Sequence, residues 1–201
     1  MKLFYSPTSP YARVARIAAL ECGVEYDGEL IDSKLLRTAD NPVLEYNCTG
    51  RVPTLVDGNT VVTETRSVCR YLEGVGNGTK LFFYMGDWQA ERLESIAMSF
   101  LDGCALWARE YRRDKAIQST WLVGVERNRA RRTLNWLCSA PGITTADAPW
   151  DFAYITLAVA IDYQAYQGLV PDWVEARNVL SAWFEMQRER PSMRATSMPG
   201  G

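Results

Sequence analysis

The sequence of 201 residues contains no histidine. A Ser-His-Asp triad, a Cys-His pair and a zinc site with imidazole ligands all depend on that side chain. Composition alone therefore excludes these three kinds of centre. Any chemistry that the chain performs works without a histidine base.

Cysteine is scarce and scattered along the chain. There are five cysteines, and no two of them form a CxxC pair. An odd number at wide spacing argues against a disulfide framework and against a metal site built from cysteines alone. Reduced thiols that act as small buried hydrophobes are typical of a cytoplasmic protein, so we expect that location and no metal. The five are Cys22, Cys48, Cys69, Cys104 and Cys138.

A strong charge of one sign and long apolar runs are also missing. With 22 basic and 24 acidic residues the formal net charge is -2, which offers no electrostatic footprint for nucleic acid. No run approaches the roughly 18 apolar residues of a membrane span, and the N-terminus lacks the apolar region of a signal peptide. We therefore expect neither nucleic acid nor a membrane as a partner.

What the chain does contain falls into two patterns. Up to residue 73 short strand and helix signals alternate, with a hairpin signal at Asp57-Gly58. A glycine-rich stretch over 73–80 follows, and beyond it apolar residues recur at helical spacing. The patterns predict an α/β domain over residues 1–75, a linker over 76–86 and an all-helical domain over 87–201. The helices predicted in the last domain cover 87–113, 120–139, 149–167 and 173–189.

The stretch YSPTSPYARVARIAALE places Ser9 and Pro10 at the start of a predicted helix. Serine is a favoured N-cap and proline a favoured first residue, so capping alone explains the pair. The same helix N-terminus would stabilise a thiolate, because its N–H groups point outward and the helix dipole favours negative charge. A hydroxyl donor there would also lower the pKa of a thiol, which is ordinarily about 8.5. The residues alone leave both interpretations open.

Two further places carry polar groups at element boundaries. Glu64 and Thr65 stand just ahead of a predicted helix, where they either cap it or bind the amine and carboxylate of a γ-glutamyl head group. In the stretch GRVPTL, Pro53 opens a strand, a position that suits a residue without an N–H.

These motifs, taken in order along the chain, resemble the glutathione transferase family. Ser-Pro enters the first helix, Val-Pro opens the third strand and Glu-Thr enters the third helix, and SPTSPY is similar to the first motif of bacterial members. The tail ERPSMRATSMP is similar to the tail of those members, so the resemblance spans essentially the whole chain. It implies a thioredoxin-like N-terminal domain, an all-α C-terminal domain and a homodimer.

The resemblance assigns the activation of the thiol to Ser9. Ser9 would hold the sulfur of glutathione, which is the co-substrate in this family, and no metal is implied. Tyr5 and Tyr11 stay as rivals, since some members of the family use an N-terminal tyrosine. Thr8 and Ser6 are neighbouring hydroxyls.

The rest of glutathione would bind to two other segments, again by resemblance. The backbone of Val52, ahead of a cis Pro53, would pair with the cysteinyl part of glutathione. Glu64 and Thr65 would bind the γ-glutamyl head, and Arg51 would meet the glycyl carboxylate. A hydrophobic electrophile would bind near Tyr11, Trp107 and Tyr111, although ordinary helix packing or dimer contacts explain these side chains equally well.

The implied activity is conjugation of glutathione to an electrophile, as in detoxification. The alternatives are a related glutathione-dependent lyase, isomerase or peroxidase, or a binding or carrier protein on the same scaffold, because a fold does not determine a function. The chain also departs from the family pattern in three places. Thr65 follows Glu64 where a serine is usual, which keeps the acid and the hydroxyl. Cys48 follows Asn47 where a proline is common, and Ala148 takes the cap position of the sixth helix of the family, with Asp151 three residues later.

Overall fold

The computed structural model describes residues 1–140, 145, 147–169 and 178–199. The chain forms two compact units. The first contains residues 1–83 and the C-terminal residues from 191 onward, and the second contains residues 84–190. The predicted limits of the α/β domain at residue 75, of the linker at 76–86 and of the helical domain at residue 87 remain a prediction.

The first unit is built on a four-stranded mixed sheet. Its strands are β1 (Lys2–Tyr5), β2 (Asp27–Leu30), β3 (Thr54–Asp57) and β4 (Thr60–Thr63), in the order β2-β1-β3-β4. β2 runs parallel to β1, and β3 runs antiparallel to both β1 and β4. The predicted hairpin forms, but its two-residue turn lies at Gly58 (φ 57°) and Asn59, one residue later than the predicted Asp57-Gly58, because Asp57 still pairs with Thr60.

Three helices belong to the first unit: α1 (Pro10–Glu21), α2 (Thr65–Val75) and the short α7 (Pro191–Ala195). α1 begins at the Ser9 cap and ends at Cys22, after which Gly23 adopts φ 62°. Both α2 and α7 pack against α1. Two short 3-10 turns, Leu35–Arg37 and Pro42–Glu45, lie in the connection between β2 and β3.

The second unit is all helical, with α3 (Trp88–Tyr111), α4 (Thr120–Ser139), α5 (Phe152–Tyr166) and α6 (Asn178–Arg188), and a 3-10 turn over Lys115–Ile117. α5 is apolar on nearly every face and is buried almost completely. α3 packs against both α4 and α5, so α5 and α3 form the centre of this unit.

The observed architecture confirms the predicted fold, a thioredoxin-like α/β part followed by a helical part. The predicted cap at Ala148 is wrong. Asp151 itself is the N-cap of α5, because its carboxylate accepts a hydrogen bond from the Tyr154 N–H at 3.0 Å. α2 continues through Gly74, so the glycine-rich stretch begins inside a helix. Residues 173–177 of the last predicted helix lie outside the described residues.

Within the described part of the chain, no helix combines the length and apolar character needed to cross a bilayer. The same residues hold no group of three or more His, Cys, Asp or Glu side chains that could bind a metal ion.

Candidate functional site

The sheet brings the three predicted segments to one of its ends. Phe4 near the end of β1 pairs with Thr54 at the start of β3, and Thr54 pairs with Thr63 at the end of β4. Neighbouring strands lie about 4.8 Å apart. The chain that follows β1, the chain that precedes β3 and the chain that follows β4 therefore leave the sheet side by side.

Ser9 caps α1 with its side chain. Its Oγ accepts a hydrogen bond from the Ala12 N–H at 3.2 Å, and its own N–H donates to the Ser6 carbonyl at 3.0 Å. A hydroxyl that accepts one bond still has its proton to donate, and accepting polarises the O–H group. Because Ser9 is half-buried, that proton can reach a bound group outside the helix. The cap thus fixes a hydroxyl donor at the positive end of a helix dipole.

The neighbouring hydroxyls and tyrosines have other surroundings. Thr8 Oγ1 donates to Ser33 Oγ at 3.5 Å, and the Ser6 hydroxyl is buried with no partner among the described residues. The Tyr5 ring lies under the guanidinium of Arg16, with 4.7 Å between the cation and the ring centroid. Tyr11 lies in the first turn of α1 and is half-buried.

The peptide bond between Val52 and Pro53 is cis, as the resemblance implies. The ladder between β1 and β3 begins at Thr54, so the backbone of Val52 stands outside it. The Val52 side chain is buried in a cluster that includes Ala12 of α1 and Phe4 of β1. This packing ties the segment ahead of β3 to the first turn of α1.

Two buried asparagines hold the loop that leads to Val52. Asn47 donates to the Arg51 carbonyl at 3.2 Å and to Thr54 Oγ1 at 2.9 Å, while its own Oδ1 accepts from the N–H and hydroxyl of Thr49. Asn41 donates to the Gly50 carbonyl at 2.8 Å and accepts from the Val43 N–H at 3.0 Å.

Gly50 lies directly against the Asn41 side chain in this loop. It adopts φ 60°, and a Cβ at this position would lie 2.8 Å from Asn41 Nδ2. Arg51, which follows it, is exposed. A side chain at Gly50 would therefore both strain the backbone and displace Asn41.

Glu64 is the one non-glycine residue with positive φ among the described residues, at φ 72° and ψ 140°. Such a conformation costs about 1–3 kcal/mol and is concentrated at functional sites. Its exposed carboxylate caps α2 by accepting from the N–H groups of Arg66 at 3.1 Å and Ser67 at 3.2 Å. A carboxylate has about four lone-pair positions, so capping leaves room for an ammonium group. Thr65, the first residue of α2, is buried.

The residues predicted for an electrophile pocket are spread over both units. Tyr11 belongs to the first unit, whereas Trp107 and Tyr111 lie four residues apart on α3 in the second. Trp107 is buried, while Tyr111 is exposed and its ring lies 4.8 Å below the Lys115 ammonium. Their role in substrate binding stays a prediction.

The three buried cysteines, Cys22, Cys69 and Cys104, contribute little reactivity. Burial raises the pKa of Cys22 to about 11 and holds the pKa of Cys69 well above its ordinary value, with Glu64 adding to the rise for Cys69. Burial also raises the pKa of Cys104 strongly. A thiol with a raised pKa stays protonated and is a poor nucleophile near neutral pH.

Sequence reasoning missed the residues that support the site. Asn41 could have been found, because Asn followed by Pro42 is a cap signal, and the structure shows Asn41 as the cap of the 3-10 turn Pro42–Glu45. Arg13 left no signal of this kind. It is buried in the face of α1 that the C-terminal residues cover, and its partners lie about 180 positions away.

Comparisons with known proteins agree with this geometry. Residues 8–75 match the family model for the N-terminal domain of glutathione S-transferases. The chain is 26% identical over 204 residues to the uncharacterized GST-like protein YibF of Escherichia coli (strain K12), with 99% of each chain covered. It is 24% identical over 225 residues to the dichloromethane dehalogenase of Methylorubrum extorquens, covering 98% of this chain and 74% of that one.

A solved structure extends the similarity to three dimensions. The crystal structure of a glutathione transferase family member from Pseudomonas fluorescens Pf-5 with bound glutathione matches with a TM-score of 0.83 and 26% identity, over 98% of both chains. Residues 8–75 thus form a domain of the glutathione S-transferase N-terminal type, and over its whole length the chain is similar in sequence and fold to members of that family.

Proposed function

We propose that the protein is a glutathione S-transferase that binds glutathione, stabilises its thiolate and transfers it to a hydrophobic electrophile. The observation that carries the proposal is the meeting of three polar segments at one end of the sheet: the capped start of α1, the backbone ahead of β3 and the strained start of α2. Together the three segments offer groups suited to the cysteinyl, γ-glutamyl and glycyl parts of glutathione.

Ser9 is the residue that we assign to the sulfur. Its hydroxyl donates a hydrogen bond to the thiolate while Oγ continues to accept from the Ala12 N–H. The helix dipole and this donor favour the charged form, so the pKa of the bound thiol falls toward neutral pH without a histidine base. The thiol proton leaves to solvent, the sulfur bonds to the electrophilic carbon, and the leaving group departs with its bonding electrons.

The remaining contacts position the tripeptide. Val52, which precedes the cis Pro53 and lies outside the strand ladder, offers its peptide groups to the cysteinyl part of glutathione. Glu64 accepts from the γ-glutamyl ammonium, and Thr65, at the start of α2, meets the γ-glutamyl carboxylate. Arg51 is exposed and would pair with the glycyl carboxylate.

The wider assignment follows from the family. We propose that the protein acts in the cytoplasm as a homodimer in detoxification, with the electrophile near Tyr11, Trp107 and Tyr111. A glutathione-dependent lyase, isomerase or peroxidase would use the same thiolate. A carrier that binds glutathione without reacting is the second candidate, since similarity to a family alone does not establish turnover.

The test measures glutathione binding by calorimetry and turnover with an aryl halide. Ser9→Gly removes the hydroxyl but keeps a residue that starts helices nearly as well, so loss of the cap accounts for only a few tenths of a kcal/mol. We expect kcat/KM to fall about 100-fold, as for loss of one charge-stabilising donor. Thr8→Ala is the matched control and should retain the activity of the wild type.

The outcomes separate the candidates. Retention of kcat/KM within about twofold in Ser9→Gly would remove Ser9 as the activator. Binding of glutathione without turnover of any electrophile would identify a carrier, and absence of binding at millimolar glutathione would refute the proposal.

A further inference from the structure

The C-terminal segment 191–199 lies along α1 and bonds to it at both ends. Arg13, near the start of α1, donates from Nη2 to the Met193 carbonyl at 3.3 Å and from Nε to Thr196 Oγ1 at 3.4 Å. At the other end of α1, Ser192 Oγ donates to Glu21 Oε1 at 2.5 Å. This segment is hereafter called the C-terminal strap.

Several side chains of the strap are buried in the first unit. Met193 and Met198 are 1% and 3% exposed, and Thr196 is 1% exposed. Thr196 Oγ1 donates to the Ser192 carbonyl at 2.8 Å while it accepts from Arg13, so one hydroxyl joins the strap to itself and to α1. Arg16 adds a longer bond from Nη2 to the Ala195 carbonyl at 3.5 Å.

Arg13 is the link between the strap and the start of α1. It is 3% exposed, and a buried guanidinium must have acceptors because its removal from water is unfavourable. The Arg13 N–H donates to the Ser9 carbonyl at 3.0 Å, so Arg13 and Ser9 close the same first turn. Because Arg13 belongs to this turn, the acceptors that fix its guanidinium also fix the position of the first turn of α1.

We propose that Arg13 is a positioning residue and that the C-terminal strap, through it, sets the orientation of the Ser9 hydroxyl. The inference rests on the proposed function, because its consequence is a lower pKa of bound glutathione. A hydroxyl donor that is displaced by about 1 Å from its position beside the sulfur stabilises the thiolate far less. The strap therefore acts on the reaction without touching the substrate.

The test uses Arg13→Met, which keeps the apolar stem and the volume, and Arg13→Lys, which keeps the charge but not the planar fork. Ser192→Ala is the matched control: it removes a strap bond at the far end of α1 and leaves Arg13 paired. The first measurement is the pH profile of kcat/KM for the electrophile at saturating glutathione, which reports the pKa of the bound thiol. The second is hydrogen exchange of the Ala12 and Arg13 amides without ligand.

In both Arg13 variants we expect the thiol pKa to rise by about one unit, with kcat/KM about tenfold lower at the acid end of the profile and close to wild type above the pKa. We expect amide exchange in the first turn to be about tenfold faster, and Ser192→Ala to change neither quantity. A reduced amount of folded enzyme would lower the rate equally at every pH, so this pattern separates positioning from stability.

Three results would overturn the inference. They are an unchanged pH profile in Arg13→Met, a wild-type profile in Arg13→Lys, or exchange rates that do not change in either variant. If the wild type binds no glutathione, the proposed function fails. The exchange measurement then still decides whether the strap controls the first turn of α1, since it needs no ligand.

Discussion

The two units differ in the charged side chains that they bury. Among the described residues, both units bury amides and hydroxyls, such as Asn47 and Thr54 in the first unit and Gln164 in the second. The first unit also buries the guanidinium of Arg13, whereas the second buries four carboxylates, which are Glu94, Glu110, Glu126 and Asp151. Amides and hydroxyls keep the same charge at every physiological pH, whereas buried carboxylates respond to it.

The pKa values of two of these carboxylates are shifted in opposite directions. The Ser119 N–H, at 2.6 Å, and the Arg113 guanidinium lower the pKa of Glu110. Burial raises the pKa of Asp151 to about 6, and the nearby Glu94 adds to this, although the Tyr154 N–H opposes it. The comparison indicates that the buried amides and hydroxyls that support the loop ahead of β3 are insensitive to pH, while the stability of the helical unit depends on pH.

The largest effect that we predict concerns Asp151. Its pKa is higher in the folded state than the ordinary 3.8, so its protonation stabilises the fold below about pH 4 and that contribution is lost as the pH rises through about 6. Asn caps helices as well as Asp does, so Asp151→Asn keeps the cap without titrating. From pH 4 to 7 the variant should gain about 3 kcal/mol relative to wild type in urea unfolding. A difference that does not vary with pH would contradict the assignment.

In the first unit the buried Asn47 amide should contribute to stability in a way that, unlike the contribution of Asp151, does not vary with pH. Asn47→Ala should lower the free energy of unfolding by about 2 kcal/mol, because it removes the hydrogen bonds from the Asn47 amide to the Arg51 carbonyl and to Thr54 Oγ1, and the loss should be the same from pH 4 to 7. Asn128→Ala is the control, since this amide is exposed and bonds Arg131, and we expect a change within about 0.5 kcal/mol. Equal losses in the two variants would show that the loop ahead of β3 does not depend on Asn47.

Variants of Glu64 test whether its positive φ lowers the free energy of unfolding. Glu64→Gly should raise the free energy of unfolding by about 1 kcal/mol, because glycine relieves the positive φ and still caps acceptably. The same variant should bind glutathione at least about tenfold more weakly in calorimetry, since an ionic partner is lost. Glu64→Gln keeps the strained backbone, so it should show the weaker binding without the gain in stability. Equal stability of the two variants would argue against strain.

The smallest effect is expected at Gln164. This buried amide donates to Cys104 Sγ at 3.6 Å, and its Oε1 has no partner among the described residues. Gln164→Met replaces it with an apolar side chain of similar shape, so the free energy of unfolding should stay the same or rise by up to about 1 kcal/mol. If denaturant titration instead showed the free energy of unfolding falling by more than about 1 kcal/mol, the Gln164 amide would have a hydrogen-bond partner in the folded protein.

Local patterns predicted much of this molecule. The hairpin between β3 and β4 and the cap at Ser9 follow from turn and capping chemistry, which acts over a few residues. Pattern also predicted the change from a mixed sheet to helices. The start of α5 was misplaced because Pro149 suggests a first helical residue, whereas the structure uses the carboxylate of Asp151 as the cap.

The candidate site was predicted less completely, because its geometry depends on distant contacts. Order along the chain places Ser9, Val52 and Glu64 at element boundaries, but only the strand register shows that these boundaries share one end of the sheet. The backbone conformation of Glu64 cannot be derived from residue preference, since glutamate rarely adopts positive φ. Arg13 lies in an otherwise small and apolar helix face, and no local pattern predicts acceptors near residue 196.

The strap also bears on how the protein matures during synthesis. Arg13 and Thr196 are 183 positions apart, so α1 leaves the ribosome long before the acceptors of its buried guanidinium are made. At roughly 5–20 residues per second this interval lasts about 10–40 s. During that time the first unit lacks the C-terminal strap. A nascent chain released before residue 196 therefore carries Ser9 on a helix whose Arg13 guanidinium lacks the acceptors that the strap provides.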